Sequence, residues 1–203
     1  MISFRKIQLK FLSGKPSLTK LTLGLSLMMT SCLNGDVVNE YCSYIGYLKV
    51  DNATVLNPLY AAVSGTNTFC LVSMVSNTGS TYTLKAKLFG ASDVTYQFPL
   101  RSGDRAPVLG LENSKGFIIG SSSLKSDNPY VFDAVCSNCY KEHRDTKYVL
   151  SFADALTVKC DACKRTYSLL NGGLVTSSNN GDKLFRYRVT AYNPNTPSIT
   201  VFQ

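Results

Sequence analysis

Four of the seven cysteines in this 203-residue chain fall into two Cys-x-x-Cys pairs, Cys136/Cys139 and Cys160/Cys163, with twenty residues between the pairs. Thiolates spaced this way on a tight turn point to the same side and bind one cation together. Two such turns side by side complete a tetrahedral shell of four sulfurs, and the spacing falls within the pattern of zinc sites. Structural zinc is the first occupant this set suggests. A Cys-ligated 2Fe–2S cluster or a single iron uses the same donors. Two disulfides, or an empty dithiol site, are the remaining alternatives if the chain is exported.

Other chemistries find little support. His143 is the sole histidine and lies in the polar run Lys141-Glu-His-Arg-Asp145, where a solvated loop residue is expected. One histidine with scattered carboxylates assembles no nucleophile, base and orienting group, so catalytic residues are not assigned and the chain reads as a non-enzyme. Cys160-Asp-Ala-Cys163 lacks the strand–helix–strand surroundings of a thioredoxin-type dithiol, since Lys164-Arg-Thr-Tyr reads as strand. Gly172-Gly173 is turn chemistry, not a phosphate loop.

The formal net charge of +8 invites a nucleic-acid partner, but its distribution argues against one. Arg5, Lys6, Lys10, Lys15 and Lys20 stand in a leader without acids; from Cys32 onward sixteen bases face thirteen acids. That leader has the layout of an export signal over residues 1–31, a basic segment followed by the apolar run from Leu21 to Met29. The run is too short to span a bilayer, which needs about 20 apolar residues. Met29-Thr-Ser-Cys32 resembles a bacterial lipobox, which implies a mature lipoprotein lipidated at Cys32. The expected address is the bacterial cell envelope, with the outer membrane as the anchoring surface. In that oxidising setting Cys42 and Cys70 are candidates for a disulfide, with free buried thiols as the alternative.

The elements that must position the cysteines are strands. Tyr44–Val50, Phe69–Val75, Tyr82–Phe89 and Val94–Leu100 are β-prone, and Tyr82–Leu88 alternates apolar and polar residues as a half-buried strand does. Asn57–Val63 has the makings of a short helical turn. Strands are further expected over Phe117–Gly120, Tyr130–Val135, Lys147–Phe152, Leu156–Lys159, Arg165–Leu170, Leu174–Thr176, Leu184–Tyr192 and Ser198–Phe202. Asn171-Gly-Gly and Asn179-Asn-Gly-Asp read as hairpin turns. Many short strands without a long amphipathic helix predict an all-β sandwich or barrel.

With these residues in view, the segment from about Gly110 to Phe202 resembles the Rieske iron–sulfur fold. Phe132-Asp-Ala-Val-Cys136 and Val158-Lys-Cys160 are similar to strands entering the two cluster loops. The stretch from Arg165 to Val175 is similar to the family's aromatic-turn-glycine segment. The whole-chain pattern looks most like Rieske-like lipoproteins of the Bacteroidetes. The resemblance implies an N-terminal β segment over residues 32–105 packed on a Rieske-like domain over 106–203, with a two-loop, rubredoxin-like cysteine cradle. It departs from the family where the chemistry lies. Asn138 and Cys163 stand where the family has its two ligating histidines, so the mixed Cys/His centre cannot form.

These features together predict a lipid-anchored envelope protein, a binding or structural module with a four-cysteine metal site. Its partner would be a protein or a glycan. Electron transfer through a Cys-ligated iron centre is the alternative.

Overall fold

The computed structural model describes residues 40–113, 115–124, 128–177 and 180–203. The leader and Cys32 lie outside the described residues. Among those described there are thirteen strands and two short α-helices, and the protein is all-β. Glu40–Gln203 form one compact unit.

The central feature is a six-stranded antiparallel sheet. It comprises β2 (Thr68–Asn77), β3 (Thr81–Leu88), β4 (Val94–Pro99), β5 (Phe117–Ser121), β6 (Tyr130–Asp133) and β11 (Arg186–Tyr187), in the order β11-β6-β5-β2-β3-β4. It takes strands from both sides of residue 105. Alternation along these strands sends side chains to two separate cores. Cys70, Val72, Leu84, Ala86, Phe117, Ile119 and Val131 face one way. There they meet helix α1 (Asn57–Ser64) and a three-stranded sheet of β1 (Tyr47–Val50), β12 (Val189–Asn193) and β13 (Ser198–Phe202), with β13 in the middle. Phe69, Ile118, Tyr130 and Phe132 face the other way, into the core that carries the cysteines.

That second core is closed by a small antiparallel sheet, β7 (Leu150–Phe152), β8 (Thr157–Cys160), β9 (Thr166–Ser168) and β10 (Leu174–Val175). Val158, Tyr167 and Leu169 project from it onto Phe132 and Leu184, all buried. The turn from β9 to β10 is the hairpin that Asn171-Gly-Gly announces. Gly173 sits at φ +80°, and a Cβ there would lie 2.8 Å from the Leu184 side chain, so both its conformation and its space exclude a side chain.

Several expectations are adjusted by tertiary contacts. The helical turn at Asn57 is a full α-helix, with Pro58 in its first turn, where a missing N–H costs nothing. The run Leu184–Tyr192 is not one strand. Arg186–Tyr187 pairs with β6 and Val189–Asn193 with β13, so the chain crosses between two sheets at Arg188. The second expected hairpin turn does not join paired strands, because β10 and β11 belong to different sheets. A helix the strand pattern did not announce, α2 (Ser137–His143), begins immediately after Cys136. His143 therefore ends a helix, its ring 5.1 Å from that of Tyr148.

The disulfide allowed for Cys42 and Cys70 is not formed: both are free thiols. Cys70 lies fully buried on the inward face of β2 and behaves as a small apolar side chain. Cys42 packs instead beside Tyr44 and Tyr187, and burial pushes its thiol up to about 11. Tyr187 donates to Asp133 at 2.7 Å, and this wholly buried carboxylate also accepts the backbone N–H of Leu111 and Val135. Burial outweighs these three donors and raises the Asp133 carboxyl to about 6.

Candidate metal centre

Each Cys pair is fixed by a different local device. Cys136 follows β6 through Ala134 and Val135, and its N–H bonds the Tyr148 carbonyl at 2.8 Å while Leu150 N–H bonds the Ala134 carbonyl. The chain then turns into α2, with Cys136 as the residue before the first turn and Cys139 inside it. A helical turn places residues three apart on one face, so both sulfurs point the same way. The second pair sits at the end of β8. There Cys160 N–H bonds the Arg165 carbonyl and Lys164 N–H bonds the Cys160 carbonyl, each at 2.9 Å. Lys164 closes that turn in the left-handed region, at φ +60°. Pairing of Leu150 with Cys160 across β7 and β8 brings the two turns together.

All four Sγ atoms lie within 4.8 Å of one another. Two separations cross between the pairs, Cys136–Cys163 and Cys139–Cys160, and each is 3.7 Å. A disulfide requires about 2.05 Å, so neither is one. A tetrahedron with metal–sulfur bonds of about 2.3 Å has edges of roughly 3.8 Å, which these separations match. Cys136, Cys139 and Cys160 are buried, whereas Cys163 is partly exposed and forms the solvent side of the cluster. The four cysteines singled out by spacing are thus brought together, positioned to bind a metal ion.

Electrostatics set Cys163 apart from Cys136 and Cys139. Burial pushes the Cys136 thiol up to about 11, although the Cys139 N–H and the Tyr167 phenol pull the other way. Burial and the neighbouring thiols push Cys139 up as well. Burial also acts upward on Cys163, but it is overridden by the N–H and guanidinium of Arg165 and by the thiols of Cys139 and Cys136. Cys163 comes down to about 7. A dication bound there would supply the positive charge that a set of buried thiolates needs.

Three residues around the sulfurs were not legible as site residues from spacing. Tyr167 Oη lies 3.1 Å from Cys136 Sγ and accepts from Asn138 Nδ2 at 2.9 Å. A Cys136 thiolate has no hydrogen to give, so in that state the phenol is the donor to the sulfur. Asn138, between the first two cysteines, also grips a remote segment: its Oδ1 accepts from Asp182 N–H and its Nδ2 donates to the Asp182 carbonyl, both at 2.9 Å. Arg165 Nε donates to the Asn180 carbonyl at 3.1 Å, and Lys141 pairs with Asp182 at 2.9 Å. Residues 180–182 are therefore tied down by side chains from both cysteine turns. Gly181 makes the approach possible, since a Cβ there would stand 2.7 Å from Asn138 Oδ1 and 2.8 Å from Arg165 Nε. The sequence signal was present in Asn138, an amide inside a Cys-x-x-Cys turn, but its partner lies 44 residues away.

No protein-family model, curated protein or solved structure matches this chain. Among the described residues no helix is long and apolar enough to cross a membrane.

Proposed function

We propose that this chain is a non-enzymatic binding module of the bacterial cell envelope, with one structural zinc held by Cys136, Cys139, Cys160 and Cys163. The observation that carries the proposal is the pair of 3.7 Å sulfur separations that cross between the two Cys-x-x-Cys turns. Four sulfurs within 4.8 Å of one another, two of their separations at the tetrahedral edge length, can fill the shell of one ion and leave no position for substrate, the arrangement of a structural site rather than a catalytic one. Such an ion ties α2 to the end of β8 and so staples the small sheet onto the central one. Its binding free energy contributes directly to folding, because the unfolded chain offers no assembled ligand set. Tyr167 and Arg165 complete the site by donating hydrogen bonds to Cys136 and Cys163.

The lipobox-like Met29-Thr-Ser-Cys32 supports a lipid anchor at Cys32 and hence the envelope address. A two-turn cradle, one turn after a strand of the central sheet and one on the small sheet, is also compatible with a Rieske-type origin, its histidine ligands replaced by Asn138 and Cys163.

A second occupant, a single iron serving electron transfer, is favoured by the same geometry. A two-iron cluster assigns its ligand pairs to different metals and spreads them apart. Four sulfurs all within 4.8 Å of one another suit one ion better. Cobalt substitution tests the coordination. Tetrahedral four-sulfur cobalt has intense thiolate charge-transfer and d–d bands, and these should appear at one equivalent and vanish on adding zinc. Their absence from a folded, reduced sample would overturn the proposal.

A further inference from the structure

On the opposite side of the central sheet from the cysteines, a cleft of about 330 Å³ opens where edge strand β4 approaches edge strand β1. The connection leaving β4 closes it before bridging back to Tyr47 at Val108. The geometry points to this cleft as a binding site for an acidic saccharide, a sugar ring or chain end carrying a single carboxylate. That gives a ligand to the binding role proposed above and rests on it there.

The floor is aromatic. Tyr82 and Phe98 stack with centroids 5.2 Å apart and planes 12° from parallel, and Tyr96 meets Phe98 edge-on at 4.8 Å. Tyr82 Oη donates to the Lys49 carbonyl, tying the floor to β1. Tyr96 keeps 39% of its surface exposed. The one parallel pair is already in contact, so no slot remains to sandwich a nucleobase. What remains is a platform, on which the C–H face of a sugar ring can lie.

The rim is charged, and its charges are unequally satisfied. Asp51 pairs with Lys49 at 3.4 Å, and Asp104 accepts the Arg101 N–H at 2.8 Å. Arg105 lies over the Tyr47 ring at 4.9 Å. Neither Arg101 nor Arg105 takes part in an ion pair among the described residues. Two guanidinium groups without carboxylate partners at the mouth of a cleft call for an anion, and the planar fork suits a carboxylate. The two aspartates in the same lining limit that anion to a single charge and disfavour a phosphate dianion. Asn52 uses its Oδ1 to cap the following turn, accepting from Thr54 N–H at 3.0 Å, which leaves its amide NH₂ for a ligand hydroxyl. The volume is at the lower end of small-molecule sites, about 300–1,000 Å³, and suits a terminal ring rather than a long chain segment.

Calorimetric titration of the full chain with a uronic acid trisaccharide, a neutral glucose trisaccharide and inorganic phosphate tests this. The uronate should bind, and the neutral sugar should bind at least about tenfold more weakly for want of the charge-assisted hydrogen bonds. Arg101→Gln and, separately, Tyr96→Ala should each weaken the uronate by about tenfold; the exposed Arg101 should leave the melting temperature in place, and Tyr96→Ala, which also loses its edge contact with Phe98, is titrated well below its own melting temperature. Equal binding of acidic and neutral sugars overturns the inference. So does preference for phosphate, no heat at millimolar uronate, or indifference to both substitutions. Metal content measured on the same sample reports on the zinc staple separately, so failure of one proposal is not mistaken for failure of the other.

Discussion

If one ion joins the two cysteine turns, removing one ligand destabilises the fold in a way that depends on metal, and removing an equally buried bystander cysteine does not. Cys160 and Cys70 make the comparison fair, at 1% and 0% exposure on internal strands. Cys→Ala at either site deletes one buried sulfur, a packing loss of about 1 kcal/mol. Only Cys160→Ala also breaks the four-sulfur shell. With free zinc held about 1,000-fold above Kd, ligation of the folded state alone adds about 4 kcal/mol. For a folded unit the size of Glu40–Gln203, each 1 kcal/mol moves Tm by about 2–4 °C. The metal-linked part is then about 8–16 °C, towards the lower end if the three remaining thiols retain some zinc. The assay is a thermal melt of wild type, Cys160→Ala and Cys70→Ala, with buffered zinc and again with a strong chelator under reducing conditions. Wild type and Cys70→Ala should both lose this increment with chelator, and Cys160→Ala should lose little. An equal chelator effect in Cys160→Ala and wild type would refute the reasoning, whatever the absolute midpoints.

Three other outcomes follow from the same structure. Replacing Tyr167 by Phe removes the hydroxyl that donates to Cys136 and receives Asn138, so zinc affinity in chelator competition should fall by about 10–100-fold with the fold retained; unchanged affinity would mean the phenol only packs. Asn138→Ala cuts both hydrogen bonds to Asp182 and leaves the Lys141 ion pair as the remaining tie from the first cysteine turn, so zinc transfer to a chelator should accelerate, and unchanged release kinetics would count against a role of this segment in holding the site. Asp133 governs a pH response. Its carboxyl titrates near 3.8 when unfolded and near 6 when folded, so the folded state holds the proton more tightly. Its contribution is full below the unfolded value and lost as pH rises to about 6. That loss is about 3 kcal/mol, and Asp133→Asn should remove it from denaturant-derived stability measured between pH 4 and 7. Parallel pH profiles for the two proteins would contradict that assignment.

The cysteine set was readable because its signal is local: two residues between partners force two sulfurs to one side of a turn, whatever surrounds them. The strand content was readable for a related reason, since β-prone composition, and in Tyr82–Leu88 a period-two alternation, lies within the segment itself. What was not readable depends on pairing at a distance. The break at Arg188 exists because Tyr187 bonds to β6 and Val189 to β13, which nothing within Leu184–Tyr192 encodes. Helix α2 arises in a stretch whose only clear pattern is the Cys spacing, and its seven residues are too few for apolar periodicity to show. Asn179-Asn-Gly-Asp has hairpin composition, yet the residues around Gly181 serve the cysteine site, because Asn138, Arg165 and Lys141 hold them there. Tyr167 reads as an ordinary strand aromatic until the sheet turns its hydroxyl onto Cys136.

Elemental analysis with an absorption spectrum, on protein purified without chelator or added metal, tests the central claim most directly. The account predicts one zinc per chain, no visible absorption, and cysteine thiols of the four-sulfur set that become titratable only when the zinc is removed. Iron with visible bands would replace the structural ion with a redox centre. A metal-free protein whose four sulfurs are oxidised, or remain free and bind no added zinc, would contradict the account.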